Sequence, residues 1–169
     1  MVSYYSLGII VNTHNLKGDL RLVPHYPNYP FKKIKKVFVK HFGQYMIMEL
    51  EKARPHKKFW LIKFRGHDRV EDVAKYKGES LFIESKKAPK ISSSFYYWEE
   101  IIGCTLFNHR HEKYGKVVDI LPSSGHPVYV VDAGNAYEKM IPAAKEFIKK
   151  IDRKKKKIFL TEAALSVLE

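Results

Sequence analysis

Cysteine is nearly absent: Cys104 is the only one in 169 residues, so no internal disulfide can form and the chain suits a reducing compartment. No apolar run approaches the roughly 18 residues that a membrane-spanning helix needs. The N-terminus lacks the basic region, long apolar stretch and small-residue cleavage site of a secretory leader, so a cytoplasmic location is expected. Phosphate and cofactor cradles are missing too. The absence of a Walker loop, GxGxxG and GxSxG counts against an NTPase or a methyltransferase on an α/β core. Cys104, His109 and His111 are near neighbours, but three groups without a CxxC or HxxxH pattern make a poor zinc site. Neither a metal, a cofactor nor a catalytic residue is expected.

Acidic residues are scarce beside basic ones, and the imbalance is uneven. Residues 1–88 hold 18 Lys and Arg against 8 Asp and Glu, a net of +10, whereas residues 89–169 hold 13 against 10, a net of +3, within the total of +13. A basic surface concentrates polyanions and supports salt-sensitive contact with phosphates, which favours nucleic acid or a nucleoprotein as partner. The 45% hydrophobic content is that of a globular chain rather than a disordered one.

Short β-rich segments bounded by turn residues point to barrels or sandwiches. Strands are predicted at Leu7–Val11, Leu20–Pro24, Lys35–Lys40, Tyr45–Lys52, Phe59–Phe64 and Ser80–Ile83. One helix, Arg69–Lys77, has Asp68 as expected cap, Glu71 at the capping-box position and Gly78 as its stop. The stretch SKKAPKISSS (85–94) reads as a linker. A second set of strands follows at Thr105–Asn108, Lys116–Leu121, Val128–Asp132, Lys139–Ile141 and Ile158–Thr161, with a turn or two of helix expected at Pro142–Lys149. The expected fold class is therefore all-β, with two small β-barrel domains (1–84 and 95–169), a linker (85–94), and one short helix in the first domain.

The segment GIIVNTHNLKGDLRLV (8–23) forms two β-runs around a polar loop, in which Asn15 and Gly18 tolerate the positive φ of a reversal. Residues 31–37, FKKIKKV, place four lysines around an isoleucine, which suits a solvated edge strand guarded against aggregation or an RNA-touching edge. Arg153–Lys157 reads as a hairpin turn between Ile151 and Ile158, with a nuclear address as the weaker reading. In Tyr96-Tyr97-Trp98, an extended chain would send successive rings to opposite sides, so at least one should be exposed or cover another surface. Plugging a barrel end is the structural alternative.

Several of these segments, in order, resemble the RimM family of bacterial ribosome maturation factors. VNTHxLKG followed by an acidic-hydrophobic-arginine strand is similar to the family's opening. Ala53–Ile83 resembles its R-x-HK strand, helix and following strand, and FYYWEEIIGCTLFN at Phe95 its PRC-barrel start. YGKVVDI at Tyr114, YVVD at Tyr129, MIP at Met140 and IDRKKKKIFL at Ile151 keep that domain's order. The departures are Asn15 for a glycine, Gly125-His126-Pro127 before the YVV strand, Ala143 for an aromatic, and TEAALSVL at the end.

The resemblance implies a non-enzymatic monomer that binds the precursor of the small ribosomal subunit. It implies contact with ribosomal protein S19 of the head and with nearby 16S rRNA, and promotion of 16S rRNA processing. Tyr96, Tyr97 and Trp98 are then the expected ribosomal-protein contacts. His14, Lys17, Arg21, Arg54, His56 and Lys57 form the expected rRNA-binding rim, with a plain solvated rim as alternative. Two other function classes stay open: a ribonuclease acting on precursor rRNA, and a PRC-barrel adaptor for a non-ribosomal partner.

Overall fold

The computed structural model describes residues 1–168 and divides into two compact units, with the boundary between Ile91 and Ser92, inside the linker-like stretch. In the first unit, β1 (Tyr4–Thr13), β2 (Leu20–Pro24), β3 (Lys36–His41), β4 (Gln44–His56), β5 (Phe59–Phe64) and β6 (Ser80–Glu84) close a barrel in the order β1-β2-β5-β4-β3-β6. Alternation dictates which face each residue takes. Leu20 and Leu22, and Val37 and Val39, point inward and are fully buried, while the intervening residues face out. Strand β4 is longer than expected and absorbs the R-x-HK motif as far as His56.

Closure overturns one expectation. Strand β3 pairs with both β4 and β6, so its lysines are exposed but guard no edge. The start of that lysine run, Phe31–Lys33, is instead a single 3-10 turn that drives Phe31 into the core, 5.0 Å from Tyr29 and 4.9 Å from Trp60. Burying that ring stabilises the barrel by about 2 kcal/mol. Next to the core, His25 Nε2 lies 2.9 Å from Ser6 Oγ, and burial lowers its pKa from 6.5 to about 4.

The predicted helix is shorter and capped differently. It comprises α1 (Val70–Val73) and a 3-10 turn (Ala74–Tyr76), with Arg69 at the cap and the Asp72 carboxylate accepting its backbone N–H at 3.1 Å. Asp68, the expected cap, pairs with Lys63 at 3.0 Å instead. Ser85–Lys87 adds a further 3-10 turn within the linker-like stretch.

The second unit begins with a one-turn helix, α2 (Trp98–Ile101). Its strands are β7 (Thr105–Phe107), β8 (Lys113–Leu121), β9 (Val128–Asp132), β10 (Lys139–Pro142), β11 (Ile148–Asp152) and β12 (Lys157–Leu160), followed by α3 (Leu165–Leu168). They form a barrel-like sheet in the order β10-β9-β8-β7-β12-β11, antiparallel except for β12 beside β7. Its core gathers Ile101, Cys104, Leu106, Val117, Val131, Ile141, Ile158, Leu160 and Leu168. Burial pushes the Cys104 thiol pKa up, which makes it an unreactive core group.

The helix expected at Pro142–Lys149 does not form. Phe147 and Ile148 donate to the Ala144 carbonyl in one turn, and Ile148 then pairs with Leu160 as the start of β11. Ile151 faces Ile158 across the basic turn, as the hairpin reading requires. Among the described residues, no helix is long and apolar enough to cross a membrane.

Candidate nucleic-acid interface

Strand pairing in the first unit assembles the basic rim. Arg21 on β2 and Arg54 on β4 both pair with Leu61 on β5, so they flank it on the outer face of the barrel. Two residues further along β4, His56 pairs with Phe59 at the hairpin end, where Lys57 turns the chain at φ +55°. The loop after β1 supplies His14, whose ring lies 5.3 Å from that of His56. Arg21 Nε donates to His14 Nδ1 at 3.2 Å, which places the His14 proton on Nε2 and leaves that N–H as a donor. The Arg21 guanidinium also lies 6.0 Å from the Phe59 ring centre.

The electrostatics of the rim are those of a site short of an anion. Local desolvation, then the neighbouring His14 and the cations Lys57, Arg54 and Arg21, hold the His56 pKa below its ordinary value. His14, Arg21, Arg54, His56 and Lys57 are thus brought together. Lys17 is exposed on the neighbouring loop, and it is its backbone carbonyl that is engaged, accepting from Lys63 Nζ at 2.6 Å.

Loop geometry explains Asn15. Its backbone is not left-handed; the positive φ of this loop belongs to Gly18, at +89°. Instead its side-chain oxygen accepts from the N–H groups of Lys17 (2.9 Å) and Asp19 (3.2 Å), and its amide donates to the Asp19 carboxylate at 2.9 Å. Asn15 is the hub of the turn, a task that glycine could not perform.

Beside Arg54 lies a shallow groove of about 410 Å³ whose charged lining is Lys32, Lys52, Arg54 and Lys63 against Asp19 and Glu51. Of these lysines, Lys52 and Lys63 lie outside every expected site, whereas Lys32 belongs to the lysine run read as a possible RNA-touching edge. The period-2 alternation of β4 and β5, which sets Lys52 opposite Lys63 next to the Arg54–Leu61 pair, is the signal that could have found two of them.

In the second unit the three aromatics do not follow an extended chain. Trp98 opens α2, and Tyr97 is its cap residue, donating its backbone N–H to Glu100 Oε2 at 2.9 Å. Tyr97 is buried (5% exposed), whereas Tyr96 and Trp98 are half-buried against the domain core. Arg153 holds Tyr96 from above: its guanidinium lies 4.6 Å from the ring centre, and it donates to Glu100 Oε1 at 3.1 Å. Lys156 Nζ donates to the carbonyls of Glu99, Glu100 and Ile102, closing the C-terminal end of α2. Two cations of the basic turn therefore serve the fold. Among the described residues, no group of three or more His, Cys, Asp or Glu could hold a metal ion.

The profile of the RimM N-terminal domain matches residues 5–88, and that of the RimM PRC barrel domain matches residues 98–163. A protein from Thermotoga petrophila named ribosome maturation factor RimM is 34% identical over 160 residues, covering 93% of this chain and 90% of that protein. One of the same name from Ligilactobacillus salivarius is 30% identical over 161 residues, covering 94% and 96%. A crystal structure of a RimM from Pseudomonas aeruginosa aligns over 94% of this chain and 97% of that one, at 20% identity and a TM-score of 0.49. By both domain profiles, in order, and by relatives matched over nearly its whole length, the chain belongs to the RimM family.

Proposed function

We propose that this chain is a ribosome maturation factor that binds the precursor of the small ribosomal subunit and promotes its assembly and 16S rRNA processing without cleaving RNA itself. The reading rests on one observation above all. Arg21 on β2, Arg54 and His56 on β4, and Lys57 in the turn that follows, joined by His14, converge on the outer face of a closed barrel, where desolvation and then these neighbours lower the His56 pKa. A phosphate arriving there gains two guanidinium forks, an ammonium and the His14 Nε2–H. The names of the relatives support the ribosomal setting.

The second unit would dock ribosomal protein S19 of the subunit head. Tyr96 and Trp98 offer part of their rings, while Tyr97 holds the helix start beneath them. The factor works as a cytoplasmic monomer by differential affinity, tight for the immature head and weak for the finished one.

Gradient sedimentation of tagged protein in cell extract tests this. Association with free small subunits and not with complete ribosomes is the expected outcome, and absence from all ribosomal fractions rejects the proposal. Arg54→Glu should lower the affinity for precursor subunits about tenfold at low salt, with the deficit shrinking as salt rises; equal affinity across the titration would remove the rim from the interface. Tyr96→Ala should weaken binding to the isolated ribosomal protein while the circular dichroism spectrum stays unchanged.

A metal-independent ribonuclease is the second reading, favoured by the ring-to-ring placement of His14 and His56 among cations. Purified protein that leaves precursor RNA intact would dismiss it.

A further inference from the structure

The second unit carries an aromatic and basic surface that neither the rim nor the Tyr96 corner uses. On β12 and β7, Leu106, Ile158 and Leu160 point into the core, so the alternate residues Phe107 and Phe159 lie on the outer face. They are direct partners in the parallel pair, with nearly parallel rings (24°) whose centres are 5.5 Å apart. The row continues on both sides: Lys150 on β11 pairs with Phe159, and Lys113 on β8 pairs with Phe107. The four strands thus present Lys150, Phe159, Phe107 and Lys113 as one line, and Lys157 Nζ lies 5.3 Å from the Phe107 ring centre.

At the Phe159 end the face drops into a recess of about 160 Å³ lined by Asn108, His109, His111, Lys149, Lys150, Phe159 and Leu160. Two features of the recess exceed what packing requires. His111 adopts a left-handed backbone (φ +63°) that brings its ring 5.4 Å from Phe159. The Nδ1 of His109 is buried without a hydrogen-bond partner among the described residues, an arrangement that costs stability unless something supplies the partner.

Acidic groups near this face are already engaged. Glu112 accepts from the Asn108 amide at 2.8 Å. Asp152 accepts the Lys155 N–H at 3.0 Å and sits opposite Lys157. Lys113, Lys149, Lys150 and Lys157 are all exposed around the rings. So four of the 13 Lys and Arg of residues 89–169, a stretch with a net charge of only +3, surround one aromatic pair.

We propose that this face binds single-stranded RNA, one base stacking on the exposed part of Phe159 beside His111, and the flanking phosphates meeting Lys149 and Lys150. A ring platform framed by ammonium groups fits a base and its phosphates. An acidic peptide would leave the rings without a use, and a duplex would keep its bases out of reach. The choice of RNA over DNA rests on the ribosomal reading above. On that reading, the PRC-barrel unit would hold an unpaired rRNA strand in addition to any protein contact it makes.

The experiment is fluorescence anisotropy of the full-length protein with a fluorescein-labelled 12-nucleotide oligouridine. Phe159→Leu, which keeps an apolar side chain on β12, should weaken binding about tenfold. Lys149→Glu/Lys150→Glu should weaken it by more, and should flatten the slope of log K against log salt by about 1.4, the share of two phosphate contacts on a single strand. Unchanged affinity in these variants overturns the proposal, and so does equal competition by polyglutamate or by the same sequence as a duplex. Loss of oligonucleotide binding with normal sedimentation on precursor subunits supports the site while separating it from the ribosomal function. Loss of sedimentation with oligonucleotide binding intact overturns it.

Discussion

Gly18→Ala should destabilise the first unit by about 3 kcal/mol or more, enough to take much of the stability of a small domain. Gly18 is buried at φ +89°, and a Cβ there would run into the backbone carbonyl of His67. Neither partner can swing aside. The His67 carbonyl accepts from Lys63 Nζ at 3.1 Å, the Lys17 carbonyl accepts from the same ammonium, and Val70 N–H donates to the Leu16 carbonyl at 3.1 Å. Lys63 and these backbone bonds clamp the segment after β1 to the segment before α1.

A control separates strain from collision. Gly43, at a hairpin tip with φ +76°, has nothing within 4 Å of a Cβ, so Gly43→Ala should cost only the left-handed penalty of roughly 1–2 kcal/mol. Urea unfolding can be read for the first unit alone in a Trp98→Phe background, because Trp60 is the one tryptophan then left. A Gly18→Ala protein no less stable than Gly43→Ala would contradict the clash.

The second large effect depends on pH. With a folded-state pKa of about 4 against 6.5 unfolded, His25 binds fewer protons when folded than when unfolded throughout that interval. Stability therefore rises with pH across it. The contribution is complete above about pH 6.5 and is lost as pH falls towards 4, amounting to roughly 3 kcal/mol at about 1.4 kcal/mol per pH unit. The cause is local: His25 is packed beside Tyr26 and Ser6, and its backbone N–H is used by the Leu7 carbonyl, so the ring cannot leave for water without disturbing β1. In the same Trp98→Phe background, urea unfolding with His25 retained and with His25→Gln at pH 7, 5.5 and 4, followed through Trp60, should give curves that converge as the pH falls. Parallel pH dependence would show that His25 protonates as freely in the folded protein as in the unfolded one.

The strands were legible because alternation is a property of single segments: Leu20 and Leu22, Val37 and Val39, and Ile158 and Leu160 announce their faces without any partner. What was not legible depends on partners. Whether the lysine run lies on an edge is decided by β6 reaching β3. Pro142–Lys149 reads as a helix start until Leu160 takes Ile148 into a strand. The cap of α1 shifted because Lys63, at the end of β5 just before the loop, claims Asp68. The rim follows the same division. Its residue types were visible as a set, but the His14–Arg21 bond and the lysine-lined groove emerge only once β2, β5 and β4 lie side by side.

The parallel contact between β7 and β12 has a consequence for when each unit can fold. The first barrel closes as soon as Ser80–Glu84 is available to β1, whereas β7 must wait for Lys157–Phe159, some fifty residues later, before its second edge is covered. During synthesis the basic barrel can therefore be complete while β7, which carries Phe107, is still an open edge. The second unit becomes competent only after nearly the whole chain has been made. A chain stalled at residue 150 should therefore show a protease-resistant first unit attached to a segment that is still readily cut.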